Sequence, residues 1–318
     1  MPRARRTRRR ATKMRRPPAA VWSAALARGR RNAQDLMVRR AAARRKHLST
    51  RARLLARDGE TADAAGAVLL AEGDSWFDYP FSSVLGELED RYNYDVQSSA
   101  HRGDTVEGMA YDPDQLTKLV RLMEKLDAAG KRPKAVLLSG GGNDIAGDEL
   151  KTLLNHKGSN LPPLNEQIMA GMIDSRLQVA LVTLIGTITQ LVRQHFGTEC
   201  PVLIHGYDYP VPDGRGYAGG FWILPGPWLQ PGLRYKGYVA LEEGRQLMAT
   251  LIDRFNAMAA SVAGGPGLKH VRYVDLRGTL SNELVGNAYR KWWANELHPT
   301  EQGFHAVADR FHKVLVAL

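Results

Sequence analysis

Residues 67–76 read AVLLAEGDSW, and residues 135–144 read AVLLSGGGND. Each stretch begins with an apolar run of strand length and ends in glycine and polar residues, which is typical of a buried strand that leads into a tight turn. These two stretches therefore predict strands at Ala67–Ala71 and Ala135–Ser139. Three further strands are predicted at Tyr94–Ser98, Val202–His205 and Val271–Leu276.

Helical patterns separate these strands along the chain. They lie near Ser83–Tyr92, Pro113–Ala129, Leu164–Phe196, Tyr238–Ala263 and Thr300–Leu318. Strands joined by long helices pair in parallel through right-handed crossovers. We therefore predict an α/β fold, a three-layer α/β/α sandwich around a parallel sheet.

Charge divides the chain into two parts. The 318 residues carry a net charge of +11, yet residues 1–57 contain 18 Arg, 2 Lys and one acidic residue, whereas the remainder is net acidic. We expect residues 1–57 to be a basic extension, partly helical or disordered, in front of a globular domain at 58–318. Such an extension fits attachment to nucleic acid or to an anionic membrane surface, and a solvated tail without a partner is the alternative.

Composition excludes several classes of protein. The single cysteine, Cys200, rules out a disulfide framework and a zinc site built on cysteine pairs. The longest apolar run, around Val179–Val192, is too short to span a bilayer. No signal-peptide pattern is evident, which favours the cytoplasm.

Residues 206–235 have an unusual composition, with 7 Gly, 5 Pro and 7 aromatic residues. So many helix and strand breakers predict an irregular segment. A long irregular connection in a compact domain is often a functional loop or lid. A surface loop that packs on its own aromatic side chains is the other interpretation.

Three polar residues are predicted at the carboxyl ends of strands, where open α/β sheets bind ligands. Ser75 follows the first strand, Asn143 follows the glycines after the third, and His298 precedes Pro299 and the C-terminal helix. Each residue also has an ordinary structural interpretation. Ser75 and Asn143 could cap helices, and a lone histidine is most often structural.

Four short motifs in their order along the chain resemble the SGNH (GDSL-type) hydrolases. They are GDSW at 73–76, SxxRGDT with Gly103, GGND at 141–144 and LHPT at 297–300. The resemblance covers roughly Val68–Leu318 and omits the basic extension. It implies a flavodoxin-like parallel sheet and an ester hydrolase domain over 58–318, with residues 206–235 as an insertion.

The resemblance also implies roles for individual residues. Ser75 would be the nucleophile and His298 the general base. The oxyanion hole would consist of the Ser75 and Gly103 N–H groups and the Asn143 side-chain amide. We expect glycine at 103 because only a residue without a side chain would let its N–H approach so closely.

One position departs from the family pattern. The family usually has aspartate three residues before the catalytic histidine, and here that position is Asn295. Asn295 could orient His298 through its side-chain carbonyl or its backbone, Glu296 could supply the acid, or the enzyme could work as a Ser–His dyad. Asn295 is the preferred candidate, and Asp275 is a remote one.

We therefore expect a serine esterase or lipase-like enzyme that cleaves carboxylic esters of lipids or sugars, without a metal or another cofactor. The predicted substrate contacts are Trp76, Asp78, Tyr207 and Trp222. The alternative is an inactive binding module of the same fold, which the basic extension tethers to nucleic acid or an anionic surface.

Overall fold

The computed structural model describes residues 17–51, 66–112, 114–219 and 225–318. Each of the five predicted strands is present, with ends within two residues of the predicted ones. Their bounds are β1 Val68–Glu72, β2 Asp95–Ser98, β3 Ala135–Leu138, β4 Val202–His205 and β5 Val271–Val274.

The strands form one sheet in the order β2-β1-β3-β4-β5, and every neighbouring pair is parallel. Every residue of β1, β3 and β4 is buried. Strands covered on both faces read as continuous apolar runs, which is why AVLLA and AVLLS were informative. The predicted α/β sandwich with a flavodoxin-like sheet is confirmed.

Helices cover both faces of the sheet. Their bounds are α1 Ala19–Arg51, α2 Val84–Tyr92, α3 Val106–Tyr111, α4 Thr117–Ala128, α5 Gly142–Ile145, α6 Asp148–Leu153, α7 Glu166–Gly171, α8 Gln178–Phe196, α9 Gln230–Tyr235, α10 Leu241–Ala263 and α11 Glu301–Val316. α2 and α11 pack together on one face, and α4, α8 and α10 belong to the other.

The segment from α7 to α8 is one continuous helical stretch, with a π-helical turn at Met172–Leu177. By length and composition alone, Glu166–Phe196 could cross a membrane, because its most apolar 18 residues have a mean hydropathy of 1.5; however, 56% of those 18 residues are buried inside the molecule. Helices α1, α3 and α10 contact α8. Its apolar character therefore has an explanation within the protein core.

Helix α1 packs against α8 and contributes to the same core. Its buried residues include Trp22 and Leu36, each 4% exposed. A Cβ at Gly29 would lie 2.5 Å from the Thr183 carbonyl oxygen, so the two helices meet at their backbones. The predicted domain boundary at residue 57 placed this helix outside the globular domain. In the structure the helix is part of that domain, because its apolar side packs into the core. Residues 1–16 and 52–65 of that prediction lie outside the described residues.

Residues 206–235 are less irregular than predicted. The segment contains a 3₁₀ turn at Tyr217–Gly219 and the helix α9. Pro231 lies in the first turn of α9, where its missing N–H costs nothing, and Leu233 is buried. Residues 220–224 lie outside the described part of the chain.

Candidate active site

Ser75 and His298 meet at the carboxyl edge of the sheet. Ser75 lies in the turn that follows β1, and its Oγ is 2.7 Å from His298 Nε2. His298 lies just before α11, which begins after Thr300, whose side chain caps it by accepting the Gly303 N–H. Residues 223 positions apart in the chain are thus within hydrogen-bond distance.

Asn295 occupies the other side of the His298 ring. Its Oδ1 lies 3.0 Å from His298 Nδ1 and also accepts the backbone N–H groups of Leu297 and His298, both at 2.9 Å. Two backbone donors at one amide atom identify that atom as the oxygen, because a nitrogen there would face donors only. His298 Nδ1 therefore carries its proton toward Asn295, and Nε2 has a free lone pair toward Ser75.

Glu296 points away from His298 and is completely buried. Its carboxylate accepts the backbone N–H groups of Gly214, Trp228, Leu229 and Gln230, at 2.7–3.0 Å. Burial raises the pKa of this carboxyl group. Glu296 thus anchors the 206–235 segment, and the hypothesis that it orients His298 is wrong in this arrangement.

Two aromatic rings enclose His298. Tyr79 stacks on the imidazole with ring centroids 4.2 Å apart and an interplanar angle of 20°, and its hydroxyl accepts from Asn295 Nδ2 at 3.0 Å. Trp228 meets the imidazole at 75°, with centroids 5.6 Å apart. Burial lowers the pKa of His298 to about 3, so the ring is neutral over most of the pH range.

The predicted oxyanion donors lie on neighbouring loops. Among the described residues, neither the Ser75 nor the Gly103 backbone N–H has an acceptor within the protein. Asn143 Nδ2 donates one hydrogen to the Asp104 carbonyl at 2.9 Å, which leaves the second hydrogen of the amide available. A Cβ at Gly103 would meet no atom within 4 Å, so close approach is not the reason for glycine. Glycine is favoured at this position because its φ of +91° lies in a region that residues with a side chain rarely adopt.

Asp144 joins the two loops that carry the predicted oxyanion donors Gly103 and Asn143. Its carboxylate accepts the backbone N–H of Val106 at 2.9 Å and that of Glu107 at 3.4 Å, at the first turn of α3. Burial raises the pKa of Asp144 to about 6. Because Asp144 follows Asn143 and α3 follows the Gly103 loop, this carboxylate fixes one loop relative to the other.

A mostly apolar pocket with an empty volume of about 530 Å³, part of it open to solvent, adjoins Ser75 and Asn143. Among the predicted substrate contacts, Trp76 and Tyr207 line this pocket. The Tyr207 hydroxyl is already hydrogen-bonded within the protein, since it donates to Asp74 and accepts the Gly142 N–H. Further lining residues include Ile145, Ala146, Pro210, Leu229, Met248 and Ile252.

Other predicted residues lie elsewhere. The Asp78 carboxylate accepts from the Arg102 backbone and side chain. Trp222 lies outside the described residues. Asp275 pairs with Arg277 and does not contact His298, so the remote hypothesis for it is wrong. In the described ranges, no cluster of three or more His, Cys, Asp or Glu side chains could hold a metal ion.

Three contributors to the site were not predicted from the sequence, namely Tyr79 against His298, Trp228 from the 206–235 segment, and Asp144 as a link between loops. Tyr79 lies only four residues after Ser75, so its position in the sequence could have indicated that it lies near the site. The contact of Trp228 depends on the fold of a long segment, which no local pattern could reveal.

A model of the GDSL-like lipase/acylhydrolase family matches residues 70–306, a range that includes Ser75, Gly103, Asn143 and His298. No curated protein matches the chain.

The solved structures with similar folds include a candidate GDSL-like lipase from Parabacteroides merdae, 13% identical, with a TM-score of 0.44 over 82% of this chain and 100% of that one. A catalytic mutant of an acetylxylan esterase from Geobacillus stearothermophilus is 15% identical, with a TM-score of 0.38 over 80% of this chain and 96% of that one. An alpha/beta hydrolase enzyme from the Lake Arreo metagenome is 16% identical, with a TM-score of 0.40 over 80% and 98% of the respective chains.

Proposed function

Because the chain belongs to the GDSL-like lipase/acylhydrolase family, a family of ester-bond hydrolases, we propose that it is a serine esterase that cleaves carboxylic esters through an acyl-enzyme on Ser75. The observation that carries this proposal is the hydrogen-bonded series of Ser75, His298 and Asn295, with distances of 2.7 and 3.0 Å. A nucleophile, a base and a group that orients the base are the parts that such catalysis requires.

Acylation begins when Ser75 Oγ attacks the ester carbonyl carbon and its proton passes to His298 Nε2. The carbonyl electron pair moves to oxygen, and the N–H groups of Ser75 and Gly103 and the free Asn143 amide hydrogen stabilise the resulting oxyanion. The tetrahedral intermediate then collapses and the bond to the alcohol oxygen breaks. The leaving oxygen takes the proton from His298 Nε2, which restores the neutral ring.

Deacylation repeats these steps with water as the nucleophile. His298 Nε2 takes one proton from water while the water oxygen bonds to the acyl carbon. Collapse of the second tetrahedral intermediate breaks the bond to Ser75 Oγ, which regains its proton from His298. The net products are one carboxylic acid and one alcohol, and the enzyme is unchanged.

Asn295 orients the His298 ring, which is one of the two roles of the aspartate that this chain lacks. In a serine protease, replacement of the triad aspartate by asparagine costs about 10⁴ in rate because the histidine adopts the wrong tautomer. Here the backbone N–H groups of Leu297 and His298 hold Oδ1 toward the ring. The correct tautomer is therefore favoured without a negative charge.

The acyl part of the ester would occupy the apolar pocket beside Ser75. Its apolar lining suits a hydrocarbon chain and offers few polar partners for a sugar. We expect Ala146→Phe, which places a ring in the pocket, to lower kcat/KM for p-nitrophenyl butyrate more than for the acetate. Equal losses for both esters would exclude this pocket as the acyl site.

Ser75→Ala tests the proposed function. Hydrolysis of short p-nitrophenyl esters should fall by several orders of magnitude, while Ser281→Ala, at an exposed serine, should retain wild-type turnover. Activity that is unchanged in Ser75→Ala would remove the proposal.

A fluorophosphonate probe provides an independent test. The chain contains a second serine–histidine contact, in which the Ser139 Oγ lies 2.8 Å from His205 Nε2, but both residues are buried. Peptide mapping should therefore find the probe on Ser75 and not on Ser139. An unlabelled Ser75 would favour the inactive binding module.

We further propose that the basic N-terminal segment attaches the enzyme to nucleic acid or an anionic membrane surface. On α1, the apolar side packs into the core while Arg28, Arg30, Arg31 and Arg39 are exposed. Removal of residues 1–16, which spares α1, should leave ester turnover intact and weaken binding to duplex DNA or to anionic vesicles at low salt. Unchanged binding to both would contradict this role.

A further inference from the structure

Among the described residues, His298 has no charged partner for the ion that it forms during the proposed reaction. In the mechanism above the ring becomes an imidazolium twice, at a position that is only 6% exposed. No carboxylate of the described residues contacts the ring, because Glu296 is bound to backbone amides and Asp78 to Arg102. A buried cation without a counter-charge is costly, so another group has to stabilise it.

The group that lies against the ring is Tyr79. Its aromatic face is nearly parallel to the imidazole at a centroid distance of 4.2 Å, well within the range in which a π face attracts a cation. The Tyr79 ring is itself held in place, with Phe304 of α11 at 5.8 Å and Tyr217 at 5.9 Å between centroids.

The Tyr79 hydroxyl contacts the second residue of the series. It accepts a hydrogen bond from Asn295 Nδ2, so the donor end of the amide is satisfied on the side away from His298. Tyr79 thus contacts both members of the pair that replaces the usual Asp–His couple, one through its ring and the other through its oxygen.

We propose that Tyr79 is a positioning residue that takes over the electrostatic part of the missing acid: its ring stabilises the imidazolium, and its hydroxyl fixes the Asn295 amide. This inference rests on the proposed function. Because the charge exists only in the transition states and intermediates, the ring contributes to kcat and not to substrate binding.

A pair of substitutions that preserve shape isolates the electrostatic part. Tyr79→Phe keeps the ring and removes the hydroxyl, whereas Tyr79→pentafluorophenylalanine keeps the same shape with a reversed ring quadrupole. We expect kcat to fall by a factor of about 2–5 in Tyr79→Phe and by roughly a further 10-fold in the fluorinated variant, with little change in KM. A role in packing alone would give the same kcat for both variants.

Restoring the acid supplies the complementary test. Asn295→Asp places a carboxylate beside His298 Nδ1, so the imidazolium no longer depends on the π face. Tyr79→Leu should lower kcat by roughly 10–30-fold in the wild-type background and by less than about 3-fold in the Asn295→Asp background. Equal losses in both backgrounds would overturn the proposal.

The controls separate the two proposals. If Ser75→Ala abolishes turnover but the fluorinated and phenylalanine variants have the same kcat, Tyr79 has no electrostatic role and the esterase assignment survives. If Ser75→Ala retains turnover, the esterase assignment itself fails. Should Tyr79→Leu not fold, as seen in its circular dichroism, the comparison of the two isosteric ring variants still decides the question.

Discussion

On one side of the crevice, Ser75, His298 and Asn295 form a continuous series of side-chain hydrogen bonds. On the other side, Gly103 is exposed and Asn143 reaches the neighbouring loop only through the Asp104 backbone carbonyl. We call these the base half and the oxyanion half. The first is assembled by contacts between the side chains that we propose to be catalytic, and the second by backbone geometry.

Both halves nevertheless use a buried carboxylate to hold a loop. Glu296 accepts four backbone N–H groups from the segment that carries Trp228 to the base half. Asp144 accepts two from α3 and so fixes the oxyanion half. Negative charge in this site therefore holds backbone in place, while the neutral Asn295 and Tyr79 surround the base.

Apart from loss of the nucleophile itself, the largest effect should come from the oxyanion half. Asn143→Ala removes a donor to the oxyanion, and the loss of one such donor costs about 10²–10³ in kcat, with little change in KM. Asn32→Ala is a matched control, because Asn32 also donates its amide to a backbone carbonyl, that of Ala110, but from α1. If steady-state assays gave similar kcat values for both variants, Asn143 would not be an oxyanion donor.

In the base half, Asn295→Asp should change the pH dependence. His298 must be neutral to act as a base, and because burial lowers its pKa to about 3, wild-type kcat/KM should persist well below pH 6. An added carboxylate favours the imidazolium and should move the acid limb upward by about 1–3 pH units.

A matched control for this substitution is Asn165→Asp, since Asn165 accepts the Ile168 N–H at the start of α7. That variant should keep the wild-type profile of kcat/KM against pH. If the Asn295→Asp and wild-type profiles coincide, residue 295 does not sense the charge of His298.

The sequence allowed much of this architecture to be predicted. The strands were predictable because buried parallel strands are short apolar runs, and AVLLA and AVLLS are distinct from the helical patterns around them. Ser75, Asn143 and His298 were predictable because carboxyl ends of parallel strands share one edge. Both inferences depend on local patterns.

Other features depend on contacts between distant residues. Whether Asn295 or Glu296 faces His298 is decided by backbone donors at positions 214 and 228–230, which no local pattern relates to residue 296. Helix α1 was assigned to an extension because its arginines dominate the composition. The few apolar positions that bury it, such as Trp22 and Leu36, are sparse in the sequence.

A smaller effect should follow from weakening the Glu296 anchor. Glu296→Gln replaces one acceptor oxygen by a donor amide, so two of the four buried N–H groups lose their partner, at about 1–3 kcal/mol each. We expect a lower melting temperature and, as Trp228 shifts against His298, a loss in kcat of less than about 10-fold. Thermal unfolding measures the melting temperature and steady-state kinetics measures kcat, with the exposed Glu301→Gln as the control. If Glu296→Gln is as stable as that control, Glu296 does not anchor the 206–235 segment.

The smallest effect on activity should come from Glu72, a buried residue at the end of β1 whose carboxyl group accepts from the Gly73 N–H and the Ser99 hydroxyl. Burial raises its pKa from 4.5 to about 7.

The folded state therefore retains this proton over a pH range in which the unfolded chain has released it, so the contribution of Glu72 to stability falls as the pH rises from about 4 to about 7. Glu72→Gln has no such proton, and its free energy of unfolding relative to wild type should rise over that interval by up to about 3 kcal/mol. Urea unfolding at pH 4.5 and pH 8 measures the difference, and kcat should stay near the wild-type value because neither half of the crevice uses this carboxyl group. A pH-independent difference between the two proteins would show that Glu72 ionises as readily in the folded state as in the unfolded chain.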